Sequence, residues 1–212
     1  MPKIMFDEHF MLQSAVLGGL KTNTRRWENG LAFLPVKNNE DEYFVTHWEG
    51  DCFLVRKYNM GALIEQAYAK PKFQIGQVVA IARRYEELGY TGMVIENGIP
   101  VQVEKSKGYR NKMFVCSELM KDYIEITDIR LQHLQDITDE DALKEGVRKF
   151  GEADHLEGCQ YYVPGLKRTR SNCHMLFATP REAFAALIDK MNGRGTWKSD
   201  PWVIAYTFKR HY

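Results

Sequence analysis

The strand-like stretches of this chain are short, unevenly spaced and broken by turns, and this limits its architecture more than any other feature. Residues 3–6, 43–46, 53–56, 77–85, 123–131 and 202–208 are rich in Val, Ile, Phe and Tyr. Turn signals separate several of them: Glu49-Gly50-Asp51 between the second and third, and Asn97-Gly98 at the centre of a predicted hairpin. Strands of this kind suit a small, strongly bent β-barrel better than a doubly wound parallel sheet.

Helices flank these strands. Met11, Ala15 and Gly18, with Leu12 and Val16 beside them, predict a helix over 8–18 that Gly18-Gly19 ends. Residues 59–69 read as a second helix, stopped by Pro71. Thr138-x-x-Asp141 opens a short one over 139–145. The strongest signal is 180–192: Thr179 as cap, Pro180 at the first position, Glu182 three residues after the cap, and Gly193 at the end. Its stripe of Phe184, Leu187, Ile188 and Met191 reads as core rather than as a cofactor-binding face. The sum is an α+β chain, read as one domain over 1–212 with irregular insertions near 28–70 and 151–178, and a turn-rich, basic stretch over 86–112.

Composition excludes some functions. A net charge of +1 provides no global field to draw in nucleic acid. The basic residues cluster locally, as Arg25-Arg26, as Lys105, Lys107, Arg110 and Lys112, and as Lys167, Arg168 and Arg170. No apolar run approaches the roughly 18 residues that span a bilayer, and the N-terminal segment reaches Asp7 too early for a signal peptide. The expectation is a cytoplasmic protein without a membrane partner. Cys52, Cys116, Cys159 and Cys173 show no C-x-x-C spacing. Adjacent Cys173 and His174 would struggle to join His155 and Cys159 around one tetrahedral ion, so reduced thiols, no metal and no cofactor are expected.

Function is expected where reactive groups are densest. Gly18-Gly19-Leu20-Lys21-Thr22-Asn23-Thr24-Arg25-Arg26 places a lysine, two hydroxyls and two arginines just after a helix and a Gly-Gly hinge. Lys21 is a base if burial lowers its pKa. Arg26 is suited to an oxyanion or phosphate. Thr22 and Arg25 are candidate ligand-binding groups, with Arg25 also readable as a solvated neighbour. Glu145 falls at the C-terminal end of its predicted helix, where the dipole disfavours a carboxylate. It is either a tuned acid or base, or a surface residue paired to Lys144 or Arg148. Asp139, Glu140 and Asp141 read as favourable charge at a helix N-terminus.

Gly19-x-Lys21-Thr22-x-Thr24-x-Arg26 resembles the G-R-K-T-x-T-x-R signature of ASCH domains, small β-barrels of the PUA-like superfamily. Gly76-Gln77-Val78-Val79 resembles the turn and strand that follow it. Ile124–Arg130 resembles the central strand, and Leu134–Gly146 the L-x-x-I-T-x-E-x-A-x-x-E-G segment. Trp202–Phe208 resembles the closing strand. Together with Gly195-Thr196-Trp197 and Pro201-Trp202-Val203, the pattern is similar to a longer, phage-associated ASCH-like group. Leu20 departs from the signature, standing where an arginine is usual. The resemblance implies a PUA-like barrel and a ligand that is RNA or a modified nucleoside. Its enzymatic members imply hydrolysis of an N4-acylated cytidine, with Lys21, Thr24 and Glu145 in the catalytic positions. The expected function is therefore a module that recognises nucleic acid or a modified nucleoside in a cleft around Lys21, Thr22, Thr24, Arg26 and Glu145; the alternatives are an amidohydrolase and, second, a phage accessory protein acting through protein contacts of its insertions.

Overall fold

The computed structural model describes residues 1–28, 30–150, 160–167 and 173–212. In chain order the elements are β1 (Lys3–Ile4), α1 (Leu12–Leu17), β2 (Asn23–Arg26), β3 (Glu42–Glu49), β4 (Cys52–Asn59), β5 (Ala62–Ala69), β6 (Val78–Ile81), α2 (Tyr85–Leu88), β7 (Met93–Glu96), β8 (Ile99–Gln102), β9 (Tyr123–His133), α3 (Asp139–Lys144), β10 (Arg148–Lys149), β11 (Tyr161–Tyr162), α4 (Pro180–Asn192), α5 (Thr196–Ser199) and β12 (Trp202–His211). The fold is mixed α+β, with more sheet than helix.

The central sheet has five strands in the order β1-β6-β9-β12-β2. β9 and β12 form its long antiparallel spine, from Trp202↔His133 to His211↔Tyr123. A bulge between Thr207 and Phe208 adds local bend and twist to this pair. The edge strand β1 runs parallel to β6, and the opposite edge, β2, pairs Asn23 with Thr207 and Arg26 with Ile204. Among the described residues no strand pairing closes these edges into a barrel, but one side chain links them. The Arg26 guanidinium on β2 donates to the Met5 carbonyl just past β1, at 2.6 Å. The sheet is therefore curled enough to bring its two edges together, leaving a seam. One face of the sheet packs a core that includes Val79, Ile81, Ile124, Ile126, Ile204, Tyr206 and the α4 residues Phe184 and Leu187. A smaller cluster around Tyr85, Leu88, Val103 and Val115 sits under the 82–120 segment.

Several sequence expectations require correction. The stretch 59–69 is not a helix but the strand β5, and the whole of 42–69 is an ordered three-stranded meander, β3-β4-β5, rather than an irregular insertion. Met60-Gly61 makes its second turn, with φ of 48° and 83°. β4 supplies the cause: Phe53 and Val55 pair with Ala69 and Ala67, and this inner face packs on the central core. Trp202 anchors the meander's lead-in through Nε1 to the Pro35 carbonyl at 3.0 Å. The 8–18 helix shrinks to α1, because Met11 takes φ 54° and breaks the first turn. The 77–85 strand ends at Ile81, and Tyr85 opens α2 instead. Within the second insertion, 151–159 and 168–172 lie outside the described residues; the rest pairs Tyr161 with Lys149 and Phe177, and Lys167 with His174.

Other elements follow the sequence closely. Asn97-Gly98 turns β7 into β8 with φ of 49° and 79°. α4 spans 180–192, and Thr179 accepts from the Glu182 N–H. Thr138 caps α3 by accepting from the Asp141 N–H at 3.1 Å. Because α3 has only six residues and carries Asp141, the cap matters beyond its own turn. Thr138→Ala is expected to lower stability by about 1 kcal/mol in chemical denaturation; an unchanged midpoint would show that tertiary packing alone holds α3.

Candidate functional site

The signature segment is positioned by its neighbours on both sides. Gly18 ends α1, and Gly19 follows at φ 75°, a left-handed conformation open to glycine. The Leu20 and Lys21 N–H groups both return to the Ala15 carbonyl, at 2.8 and 3.0 Å. Thr22 N–H then donates to the Lys144 carbonyl at 3.0 Å, docking the segment on the last turn of α3. A helix C-terminus carries unsatisfied carbonyls and partial negative charge. Here Thr22 takes one carbonyl, and the Lys21 ammonium takes that of Glu145 at 2.7 Å.

The side chains then form a buried ionic set. Lys21 Nζ also lies 2.5 Å from Glu145 Oε2, with the two side chains 2% and 4% exposed. The Arg25 guanidinium forks: one nitrogen reaches Glu145 Oε1 and the other Asp141 Oδ2, each at 3.0 Å. Asn23 adds an amide donor to Asp141 Oδ1 at 3.2 Å. Asp141 and Glu145 stand four residues apart, on one face of α3 and its cap, while Asn23 and Arg25 share one face of β2. Two cations meet two carboxylates, so the set is neutral overall. That neutrality is what allows four charges to be buried, since an unpaired one would be prohibitive. Burial lowers the Lys21 pKa, and Glu145 opposes that shift only in part. Gly146, with φ 106°, follows Glu145; a Cβ there would meet the Leu12 side chain at 3.1 Å and come within 3.8 Å of Lys21 Cδ.

These groups open onto a pocket of about 230 Å³ at the seam of the curled sheet. Its polar end holds Lys21, Thr24, Arg25, Arg26 and Glu145. Its opposite wall is the face of α4 bearing Phe184, Leu187, Ile188 and Met191. Phe6 lies beneath two cations, its ring centroid 5.9 Å from Lys21 Nζ and 5.3 Å from the Arg26 guanidinium carbon. Among the described residues the Thr24 hydroxyl has no hydrogen-bond partner, although the residue is only 4% exposed. Trp27, 58% exposed, stands at the mouth.

The structure thus brings Lys21, Thr24, Arg25, Arg26 and Glu145 together and leaves Thr22 outside the pocket lining. Arg25 is buried and committed to two carboxylates, which corrects its reading as a solvated neighbour. Glu145 pairs with Lys21 and Arg25, not with Lys144 or Arg148. Asp141, read as helix-terminus charge, is a full member of the ionic set. Of the α4 stripe, Phe184, Leu187 and Ile188 are core, whereas Met191, expected in the core, is 42% exposed; all four line the pocket. In the second basic cluster, Lys112 turns inward to the Phe6 carbonyl and Gln13; Arg168 and Arg170 of the third lie outside the described residues, as do His155 and Cys159. Among the described residues no group of His, Cys, Asp and Glu is placed to hold a metal ion. No helix among them is long and apolar enough to cross a membrane. Comparison with protein-family models, curated proteins and solved structures returned no match.

Proposed function

We propose that this chain is an amidohydrolase that recognises a modified nucleoside or nucleobase in the seam pocket and removes an acyl group from its exocyclic nitrogen. The observation that carries the reading is the buried Lys21–Glu145 pair lining one pocket with Thr24. Amide cleavage needs a nucleophile, a base to activate it and a proton for the departing nitrogen. In its neutral form Lys21 takes the proton of the Thr24 hydroxyl. The Thr24 oxygen bonds to the acyl carbon, and the C–N bond breaks as the nitrogen receives that proton through Lys21 and Glu145. Water then cleaves the resulting ester, returning the hydroxyl. Burial favours neutral Lys21, and Arg26 at the seam is available to the developing oxyanion.

The curled five-stranded sheet with its linked edges is in keeping with a PUA-like barrel, and the resemblance of 19–26 and 134–146 to ASCH segments supplies the nucleoside half of the reading. A pocket of this size suits one base, free or at an exposed position in RNA, rather than a tract of polymer. Recognition without turnover is the second reading. It is favoured by Trp27, whose exposed indole at the mouth is placed to stack on a base.

Release of cytidine from N4-acetylcytidine separates the two. The wild-type chain is expected to turn over, and Thr24→Val, which keeps the shape and removes the oxygen, is expected to lose at least about 100-fold in kcat. A folded wild-type protein that binds the nucleoside without releasing acetate would overturn the hydrolase reading and leave the binding one. Equal rates for Thr24→Val would remove Thr24 as nucleophile.

A further inference from the structure

The seam pocket is graded from mouth to floor, and the gradient says which end of a substrate goes in first. At the mouth stand Trp27 and Met191, both more than a third exposed, with Asn192 beside them. Deeper lie Leu12, Phe184, Leu187 and Ile188, all 8% exposed or less. Apart from the reacting groups, the seam arginines and Asp7, whose Oδ1 accepts from the Phe10 N–H at 3.1 Å, the side chains around these residues are hydrocarbon. Of the hydrogen-bonding groups there, Lys21 and Glu145 are tied to each other, and two Arg25 nitrogens reach carboxylates, leaving the Nε atoms of Arg25 and Arg26 without a partner among the described residues.

An N-acylated nucleoside has two unlike halves on either side of its amide. The base and ribose carry hydroxyls, ring nitrogens and a carbonyl, and each would lose water without a partner if driven against α4. The acyl chain beyond its carbonyl carries no polar atom. With the amide held at Lys21, Thr24 and Glu145, only the acyl half matches the deep wall, and the base is left to Trp27 and the sugar to solvent. An acetyl group would offer that wall a single methyl and leave its remaining apolar surface unmatched.

We propose that α4 forms an acyl-binding wall and that the substrates are nucleosides or nucleobases bearing a branched aliphatic acyl group such as isobutyryl rather than acetyl. This rests on the amidohydrolase reading for the position of the amide, and it adds the direction of binding and the class of acyl group. The register of the wall follows from α4: Phe184, Leu187, Ile188 and Met191 fall at i, i+3, i+4 and i+7, one continuous face. The same helix pays for its burial through the core, so the wall is rigid and its shape selects.

The test compares N4-acetylcytidine with N4-isobutyrylcytidine on the full chain, reading both kcat/KM and calorimetric Kd. Each buried methylene is worth about fourfold, so the isobutyryl substrate is expected to gain roughly tenfold in kcat/KM. Ile188→Phe, which thickens the wall, is expected to bring the ratio of the two substrates to about one. Circular dichroism reports whether that variant folds, and the wild-type ratio decides the proposal if it does not. Turnover of both substrates with acetyl equal or preferred would overturn the acyl wall and leave the hydrolase reading intact. No turnover, but roughly tenfold tighter binding of the isobutyryl compound, would overturn hydrolysis and support the wall. No turnover and no preference in binding would overturn both.

Discussion

Glu145→Gln is expected to lose about 10²- to 10⁴-fold in hydrolysis of an N-acylated nucleoside and to lower stability by about 3–5 kcal/mol. Both effects have one origin. The Glu145 carboxylate satisfies Lys21 through one oxygen and Arg25 through the other, each contact inside the protein. A neutral amide leaves Arg25 with Asp141 as its carboxylate and Lys21 with only the Glu145 carbonyl, and turns one of its own donors toward one of the two cations. A buried charge stripped of its partner is far more costly than the pair was favourable. This gives a way to separate the catalytic role from the structural one. The double variant Lys21→Met, Glu145→Leu removes the charge and the anion together and packs hydrocarbon in their place. It is expected to recover much of the stability lost by Glu145→Gln, in denaturant melts, and none of the activity. Recovery of activity along with stability would make the pair a structural feature only, and a Glu145→Gln protein with normal turnover and stability would refute the assignment of Glu145.

Much of this site was legible in the sequence because its parts are local. Lys21, Thr24 and Arg26 sit within six residues, and Glu145 follows a capped helix whose start and end are written in Thr138 and Gly146. The strand β9 and the helix α4 were legible because burial on one face imposes a period on the residues, and β12, buried on both faces from Trp202 to Tyr206, because it is a continuous apolar run. What failed was non-local. β5 carries Ala, Leu, Ile, Glu, Gln and Tyr on a largely exposed edge, so burial imposes no alternation on it, and its turn puts Met60, where Asn or Gly is usual, at positive φ before Gly61. Composition there suits a helix, and only pairing with β4 makes a strand. Asp141 was hidden by a sufficient local explanation, since an acidic first turn already stabilises α3. Arg25 was hidden by its type, because arginine next to arginine reads as surface until the opposing carboxylates are known. The pocket wall was hidden by success: an amphipathic stripe that fills a core gives no sign that its outer end also borders a cavity. A separation of 120 residues between Arg25 and Glu145 leaves no periodicity to read.

Arg25 carries the second large expectation, which concerns pH. Arg25 is committed to Glu145 and Asp141, and it acts through Glu145 and through its charge on Lys21. The groups facing Lys21 are Glu145 from the end of α3, Arg25 and Arg26 from β2, and the Phe6 ring from the segment after β1. Burial is the largest cause of the lowered Lys21 pKa, Glu145 opposes it, and Arg26 and Arg25 add to the lowering. If neutral Lys21 is the base, turnover rises with pH through that lowered pKa. Arg25→Met removes a positive neighbour and leaves Glu145 to Lys21 alone. Both changes favour the ammonium, so the rising limb of kcat/KM is expected to move to higher pH, with activity at neutral pH falling accordingly. Stability has the same sign of dependence. The folded chain holds the Lys21 proton less tightly than the unfolded chain does, so stability increases with pH between the lowered pKa and the ordinary value of 10.5. Arg25→Met narrows that window and, by leaving Asp141 to Asn23 and the more distant, more exposed Arg130 and Lys144, costs about 3 kcal/mol. Arg25→Lys distinguishes the two contributions: it restores the charge beside Lys21 but cannot fork to both carboxylates. Its pH limb is expected to return toward the wild-type position while its stability stays low. A limb that does not move in Arg25→Met would mean that Lys21 is not the group whose ionisation sets the rate.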